Sequence, residues 1–439
     1  MFLQVNVMQS IRFSFVMLLL GGVFVSPAIS EDWPQWRGPT RDGVWHETGI
    51  ISSFDSDEIP LKWRVPVGSG YSAPTVAEGL VFLTDRIAEP VQIERVLCFN
   101  EKTGETVWEY TYECEYRIGY TAGPRAAVTV LDGKAYALGA MGHFHCFEAK
   151  TGKVLWQHDL NTEYDIQMPI WGIAGSPLVV EDIVIVQLGG KTATIAGFDI
   201  ENGKERWTAL QERACYASPL LIEQAGKSVV VVWTGDSVAG LAPLSGKVYW
   251  QHLWPPSRMP IGVATPVKSG NQLFLTSFYD GCMLIDLDEN KLAIKKRWQK
   301  TGEDERHTEG IHSIISTPII LGGHVYGVDS YGELRCLDLK DGSRVWEDQT
   351  ATPRARWSTI HFVKNGENVW MFNERGELVI SRLSPKGLTE ISRAKLIDPT
   401  EDQLRQRNGV CWSHPAYANK HVFARSDKYL VCASLAAQK

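Results

Sequence analysis

Short apolar runs, most of them alternating with polar residues, recur along the chain. They read VFLTD at 81–85, AYALG at 135–139, VIVQL at 184–188, VVVVW at 229–233, LFLTS at 273–277, VYGVD at 325–329 and VWMFN at 369–373. Runs of this length and period predict β-strands rather than helices. A small residue and a proline commonly precede them: Ser72-Ala73-Pro74, Ser176-Pro177, Ser218-Pro219, Thr265-Pro266 and Thr317-Pro318. Proline suits the first residue of a strand, where no ladder donor is needed. Short turns follow, such as Tyr279-Asp280-Gly281, Ser330-Tyr331-Gly332 and Glu374-Arg375-Gly376. In the regular units such a turn leads into a third apolar strand, a glycine turn and a fourth strand carrying Trp.

The last two strands form a repeat. Its instances are CFNEKTGETVW (98–108), CFEAKTGKVLW (146–156), GFDIENGKERW (197–207), GLAPLSGKVYW (240–250) and CLDLKDGSRVW (336–346). Weaker copies are LIDLDENKLAIKKRW (284–298), VISRLSPKGLTEIS (379–392) and LVCASLAAQK (430–439). The aligned tryptophans are Trp63, Trp108, Trp156, Trp207, Trp250, Trp298 and Trp346, spaced 43–51 residues apart. That period fits one four-stranded propeller blade and exceeds a two-helix solenoid repeat. The expected fold is all-β: an eight-bladed β-propeller with four antiparallel strands per blade. The chain opens with a lone Trp strand at 61–65 and ends with a blade lacking that strand. The first can complete the last and close the ring, removing exposed sheet edges. Residues 31–60 are expected as an N-terminal extension packed along the outside of a propeller formed by 61–439.

Composition narrows the class. The chain has 439 residues, 44% hydrophobic and 22% charged, with 16 Trp and 39 Gly, which fits a globular repeat protein. A net charge of −7 argues against binding nucleic acid through phosphates. Residues 1–30 contain Arg12 as their only charged side chain, an apolar run at 13–25, and small residues Ala28 and Ser30. This pattern predicts a cleaved export signal, cut after Ser30, and a periplasmic or envelope location. No Cys lies near that point to carry a lipid, and no other transmembrane candidate follows. A monomer is expected.

Eight Cys in an exported chain invite a disulfide framework. The register argues otherwise. Cys98, Cys146, Cys336 and Cys432 occupy one repeat position, which Gly197 and Gly240 fill in other blades. Such a slot wants a small side chain, and equivalent slots on different blades lie beyond disulfide reach. Free, buried thiols are expected at these four. Cys114, Cys215, Cys282 and Cys411 stay open, with Cys215 and Cys411 shortly before first strands.

The unit C/G-F/L-D-x-x-T-G-K-x-x-W resembles the pyrroloquinoline quinone (PQQ) repeat. That repeat builds the eight-bladed propellers of quinoprotein alcohol dehydrogenases and of BamB-like outer-membrane assembly factors. The opening Asp32-Trp33-Pro34-Gln35-Trp36-Arg37-Gly38-Pro39, with Arg41-Asp42-Gly43, is similar to the planctomycete-type PQQ-binding-like propeller proteins. The resemblance spans nearly the whole chain after residue 30, and its motifs build blades rather than sites. It implies PQQ with Ca²⁺ if the dehydrogenase chemistry is retained: the quinone over a Trp, commonly under a disulfide of adjacent Cys, with Glu, Asn and Asp on the ion and an Asp base. This sequence has no adjacent Cys pair. The turn carboxylates Asp236, Asp280 and Asp329 read first as turn formers.

No other catalytic motif is present: no GxSxG, Walker loop, HExxH or CxxC. His143-Phe144-His145-Cys146 has metal-ligand residues, but strand alternation places His145 opposite Cys146. His307 and His312 flank an acidic stretch that reads as a solvated loop. The loops entering the first strands, which converge on a propeller's channel, carry Tyr71, Arg125, Trp171, Tyr216, His312, Arg356, Trp357, Trp412 and His414. Aromatics and cations there either plug a wide channel or bind a planar or anionic ligand. The favoured reading is a non-catalytic exported propeller that binds a protein partner or small ligand at this channel face. The alternatives are a PQQ-dependent oxidoreductase with an altered pocket, and a BamB-like assembly scaffold. No catalytic or metal-binding residue is nominated.

Overall fold

The alternating runs form eight antiparallel sheets of four strands in a computed structural model that describes residues 31–438. The expected export signal at 1–30 lies outside the described residues. Blades 1 to 7 span 75–113, 129–159, 178–209, 220–253, 267–300, 319–348 and 360–395. Blade 8 takes its first three strands from Ala416–Ala418, His421–Arg425 and Tyr429–Ser434, and its fourth from Leu61–Pro66. The closing register places Trp63 opposite Cys432. Short first strands neighbour one another around the axis, that of blade 8 meeting that of blade 1. Fourth strands face outward and alternate in exposure, as in Thr106–Glu113.

The repeat Trp joins neighbouring blades. Six of these indoles donate to a backbone carbonyl in the third-to-fourth-strand turn of the next blade at 2.8–3.1 Å: Trp63 to Glu101, Trp108 to Ala149, Trp156 to Ile200, Trp207 to Pro243, Trp298 to Leu339 and Trp346 to Ser384. The turn glycine seats that ring. At Gly104, with φ +75°, a Cβ would lie 2.8 Å from the Trp63 ring. Blade 5 has a degenerate turn, and there Trp250 donates instead to Gln224 Oε1 at 2.8 Å. Gln224 Nε2 passes the contact on to Ala293 O at 2.7 Å. The Cys/Gly slot is explained similarly: a Cβ at Gly197 would come within 2.4 Å of Trp207. All eight cysteines are buried and unpaired.

Three of the hydroxyls that precede a strand-opening proline also span blades. Ala127 N–H donates to Ser176 Oγ, Ser176 N–H to Ser218 Oγ, and Thr265 N–H to Thr317 Oγ1, at 2.9–3.1 Å. Turn carboxylates hold the loops that enter the first strands. Arg213 N–H donates to Asp236, Ser257 N–H to Asp280 and His312 N–H to Asp329, at 2.6–3.0 Å. These acidic groups are engaged by backbone donors.

Residues 31–60 depart from the expectation of an external strap. Only their second half lies outside, with Ile51 N–H on Leu435 O and Ile59 N–H on Lys395 O. Phe54 covers blade 7, whose fourth strand has Ser392 at the register position of the repeat Trp. Its N–H donates to Ser392 Oγ at 2.9 Å and its ring meets Trp370 edge-on. The first half enters the channel. Trp33 pairs with Val76, Pro34 O accepts from Val130, and Trp45 N–H donates to Lys364 O, so this segment touches the first strands of blades 1, 2 and 7. Trp33, Arg41 and Trp45 are fully buried. An eight-bladed ring leaves room along its axis, and a Trp- and Arg-bearing segment of the same chain fills it.

Candidate functional site

The N-terminal segment reaches mid-channel through two side chains. Trp36 Nε1 donates to Thr265 Oγ1 at 2.8 Å, beside the start of blade 5. Arg41 gathers acceptors from three blades: Thr129 Oγ1, the carbonyls of Ser176 and Pro177, and Pro219 O, with Nε on Gln35 Oε1. Below this level the channel is occupied. Above it lies a cup of about 130 Å³.

Seven of the nine nominated residues line the cup: Tyr71, Arg125, Trp171, Tyr216, Trp357, Trp412 and His414. They come from the loops entering blades 1, 2, 3, 4, 7 and 8. Ring centroids lie 5.1 Å apart for Trp171 and Tyr216, 6.5 Å for Trp171 and Trp357, and 6.5 Å for Trp357 and Trp412. Edge-on and tilted contacts of this kind suit the aromatic quadrupole.

The other two nominees stand behind the wall. Arg356 lies over the Trp357 ring at 4.3 Å and forms a two-pronged pair with Glu305 at 2.6 and 2.7 Å. The Arg356 hydrogen bonds hold the Glu305 carboxyl below its usual range. His312 is buried, its backbone N–H on Asp329 and its Nδ1 3.1 Å from Phe278 O. Burial lowers its pKa, opposed by the Asp329 charge.

Arg125 faces the cup with both terminal nitrogens engaged. Its guanidinium bonds the carbonyls of Gly119, Tyr120 and Gly123 and lies 5.0 Å from the Tyr71 ring centre. It thereby clasps the loop 119–123. That loop carries Tyr120, whose ring meets Trp171, Trp357 and Trp412 at 5.7–6.3 Å. Tyr120 adopts φ +54°, a left-handed conformation unusual for an aromatic residue. His414 Nδ1 lies 2.6 Å from Pro415 O. Burial, then the nearby His361 and Arg37 charges, hold its pKa well below the usual value, so the ring is neutral.

Sequence reasoning missed Tyr120, Trp36, Val263, Ile314 and Ile315 in the lining, together with Ser176 and Ser218. The two serines carried a signal, since both precede a strand-opening proline. Tyr120 sits in the turn-rich stretch Gly119-Tyr120-Thr121-Ala122-Gly123-Pro124, and nothing in that pattern indicates that it reaches rings from distant blades. The His143–Cys146 cluster lies elsewhere. His145 is packed against Tyr110, Tyr112 and Phe147, and burial lowers its pKa to about 4. Among the described residues no group of three or more His, Cys, Asp or Glu is arranged to hold a metal ion. Nor is any helix among them long and apolar enough to cross a membrane.

The sequence profile of the family described as outer membrane protein assembly factor BamB matches residues 92–348 and 308–438. Among solved structures, BamB from Moraxella catarrhalis is 16% identical with a TM-score of 0.57, covering 86% of this chain and 99% of that one. Quinohemoprotein alcohol dehydrogenase from Comamonas testosteroni is 13% identical with a TM-score of 0.63, covering 93% of this chain and 81% of that one. The computationally designed Ika8 protein is 11% identical with a TM-score of 0.53, covering 84% and 97%. At these identities the likeness is one of fold. No curated protein sequence matches the chain.

Proposed function

The chain belongs to the PQQ-repeat propeller family described as outer membrane protein assembly factor BamB, and from that premise we propose that it is an exported, non-catalytic propeller that binds a ligand or partner at the open end of its channel. One observation carries this reading. The channel is filled from one end by Trp33, Trp36, Arg41 and Trp45, so the aromatic residues at the other end are not needed to stop it. They surround a cavity instead. A concave, largely aromatic site with few polar groups is the usual form of a small-ligand or anchor-residue pocket.

The dehydrogenase reading asks more of this site. PQQ is a tricyclic tricarboxylate, and its Ca²⁺ takes six to eight oxygen ligands. The lining offers one guanidinium, already engaged by three carbonyls, and no carboxylate or carboxamide. These residues fit that pair poorly. Family membership favours a protein partner over a redox substrate.

Fluorescence titration of the mature chain with PQQ, with and without Ca²⁺, tests the choice. The expected result is no saturable quenching at micromolar PQQ. One-site quenching that disappears in Trp171→Ala or Trp412→Ala would overturn the non-catalytic reading and restore the dehydrogenase. Capture from envelope extracts addresses the assembly role: recovery of outer-membrane assembly components by the wild type, and not by Trp171→Ala, would identify the partner class.

A further inference from the structure

The floor of the cup has a chemistry that its walls do not. Ser176 and Ser218 line it, and each Oγ accepts a backbone N–H from across a blade boundary. Neither hydroxyl hydrogen has an acceptor among the described residues. Both serines are buried, at 2% and 6% relative exposure. Directly behind them sits Arg41, with Nη1 on the carbonyls of Ser176 and Pro219.

Arg41 is a buried cation without a counter-ion. All its bonds go to carbonyls, an amide oxygen and a hydroxyl, and no carboxylate pairs with it among the described residues. Burial alone pulls its pKa down to about 9, so it remains charged at neutral pH. A buried charge lacking an opposite partner is unfavourable. An anion placed on the two hydroxyls would offset it, and the cup is an opening onto that floor.

Size and wall chemistry define the rest. A cavity of about 150 Å³ holds one benzene ring, and this one is about 130 Å³. Trp171, Tyr216, Trp357 and Trp412 supply ring faces and edges above the serines. A cationic ligand would meet Arg125 at the wall and Arg41 below.

Building on the reading of the cup as a binding site, we infer that it takes a small aromatic carboxylate, one ring with one anionic group. The carboxylate rests on the Ser176 and Ser218 hydroxyls over Arg41, and the ring lies among the indoles. A tricyclic tricarboxylate brings more anionic groups than this floor can answer.

The test is a titration of the full mature chain with sodium benzoate, benzyl alcohol and benzylamine, followed by Trp fluorescence and calorimetry. Benzoate is expected to bind at one site at least roughly tenfold more tightly than benzyl alcohol, a difference of about 1.4 kcal/mol. Benzylamine is expected not to bind. In a Ser176→Ala/Ser218→Ala variant, benzoate affinity should fall to that of benzyl alcohol, whose own affinity should hold. Both hydroxyls also join blades, so thermal melting must show that the variant is folded. The three-ligand comparison on the wild type stands without it. Equal affinity for benzoate and benzyl alcohol would overturn the carboxylate assignment and leave the cup a ring site. Silence with all three would overturn the assignment and count against the cup as a small-ligand site.

Discussion

Trp36 and Thr265 are joined by a hydrogen bond of 2.8 Å from the indole Nε1 to the hydroxyl, although they lie 229 positions apart in the chain. The bond fixes the tip of the N-terminal segment to the entry of blade 5 and sets the depth of the cup. Trp36→Phe should keep the ring and lose the bond, lowering stability by about 1 kcal/mol in urea denaturation. Trp36→Ala should cost about 2–3 kcal/mol and deepen the cavity. A larger ring ligand that the wild type rejects should then bind.

Gln224 stands in for a missing turn. It accepts from Trp250 Nε1 and donates to Ala293 O. Gln224→Ala should strand a buried indole N–H and a carbonyl together, at a cost of about 2–3 kcal/mol. Gln224→Glu should preserve the acceptor and lose the donor, so an intermediate loss is expected. Chemical denaturation midpoints at neutral pH check the order.

Asp329 holds the loop that enters blade 6 and pairs with the buried Arg335 at 2.9 Å. Asp329→Ala leaves that guanidinium without this carboxylate in a site where both partners are nearly inaccessible. The expected loss is about 1–2 kcal/mol, because Arg335 gives up one buried carboxylate but keeps its pair with Glu347 at 2.9 Å. Because the same loop carries Ile314 and Ile315 into the cup, ligand affinity should fall alongside the melting temperature.

Acid should destabilise the fold through its buried imidazoles. Burial lowers the pKa of His145 and of His361 to about 4, against 6.5 for an exposed ring. The unfolded chain therefore binds protons that the folded chain refuses. The stability these two groups contribute is present above pH 6.5 and is lost as the pH falls through 4, by up to about 3 kcal/mol for each. Melting curves between pH 7 and pH 4 should show the decline. His145→Phe and His361→Phe should flatten it, each by part.

Much of the architecture was legible because the repeat Trp recurs at a blade-length period and its glycine partner recurs with it. The reason lies in contact between neighbours: each indole needs a carbonyl and a seat in the next turn, so both positions are constrained in sequence. Blade 7 was harder to read, since Ser392 replaces the indole and Phe54 fills in from outside the repeat. The cup was legible in its walls, where large aromatics stand out at loop positions. Its floor was not. Arg41 bonds mainly to backbone carbonyls, and a carbonyl leaves no trace in residue identity. The path of residues 31–47 into the channel was hidden for the same reason, since their main-chain pairing with the first strands carries no motif.

Closure of blade 8 by Leu61–Pro66, together with filling of the axis by the residues before it, has a consequence for biosynthesis. A chain made from its N-terminus produces both the stopper and the clasp first, yet their seats include blade 7 and the terminal blade, which are made last. Until then the early residues have nothing complete to grip. A nascent or truncated product is thus marked by an unlatched ring and exposed indoles. Latching of the ring therefore waits on the strands of blade 8, because the clasp at 61–66 has no partner before Tyr429–Ser434 is made.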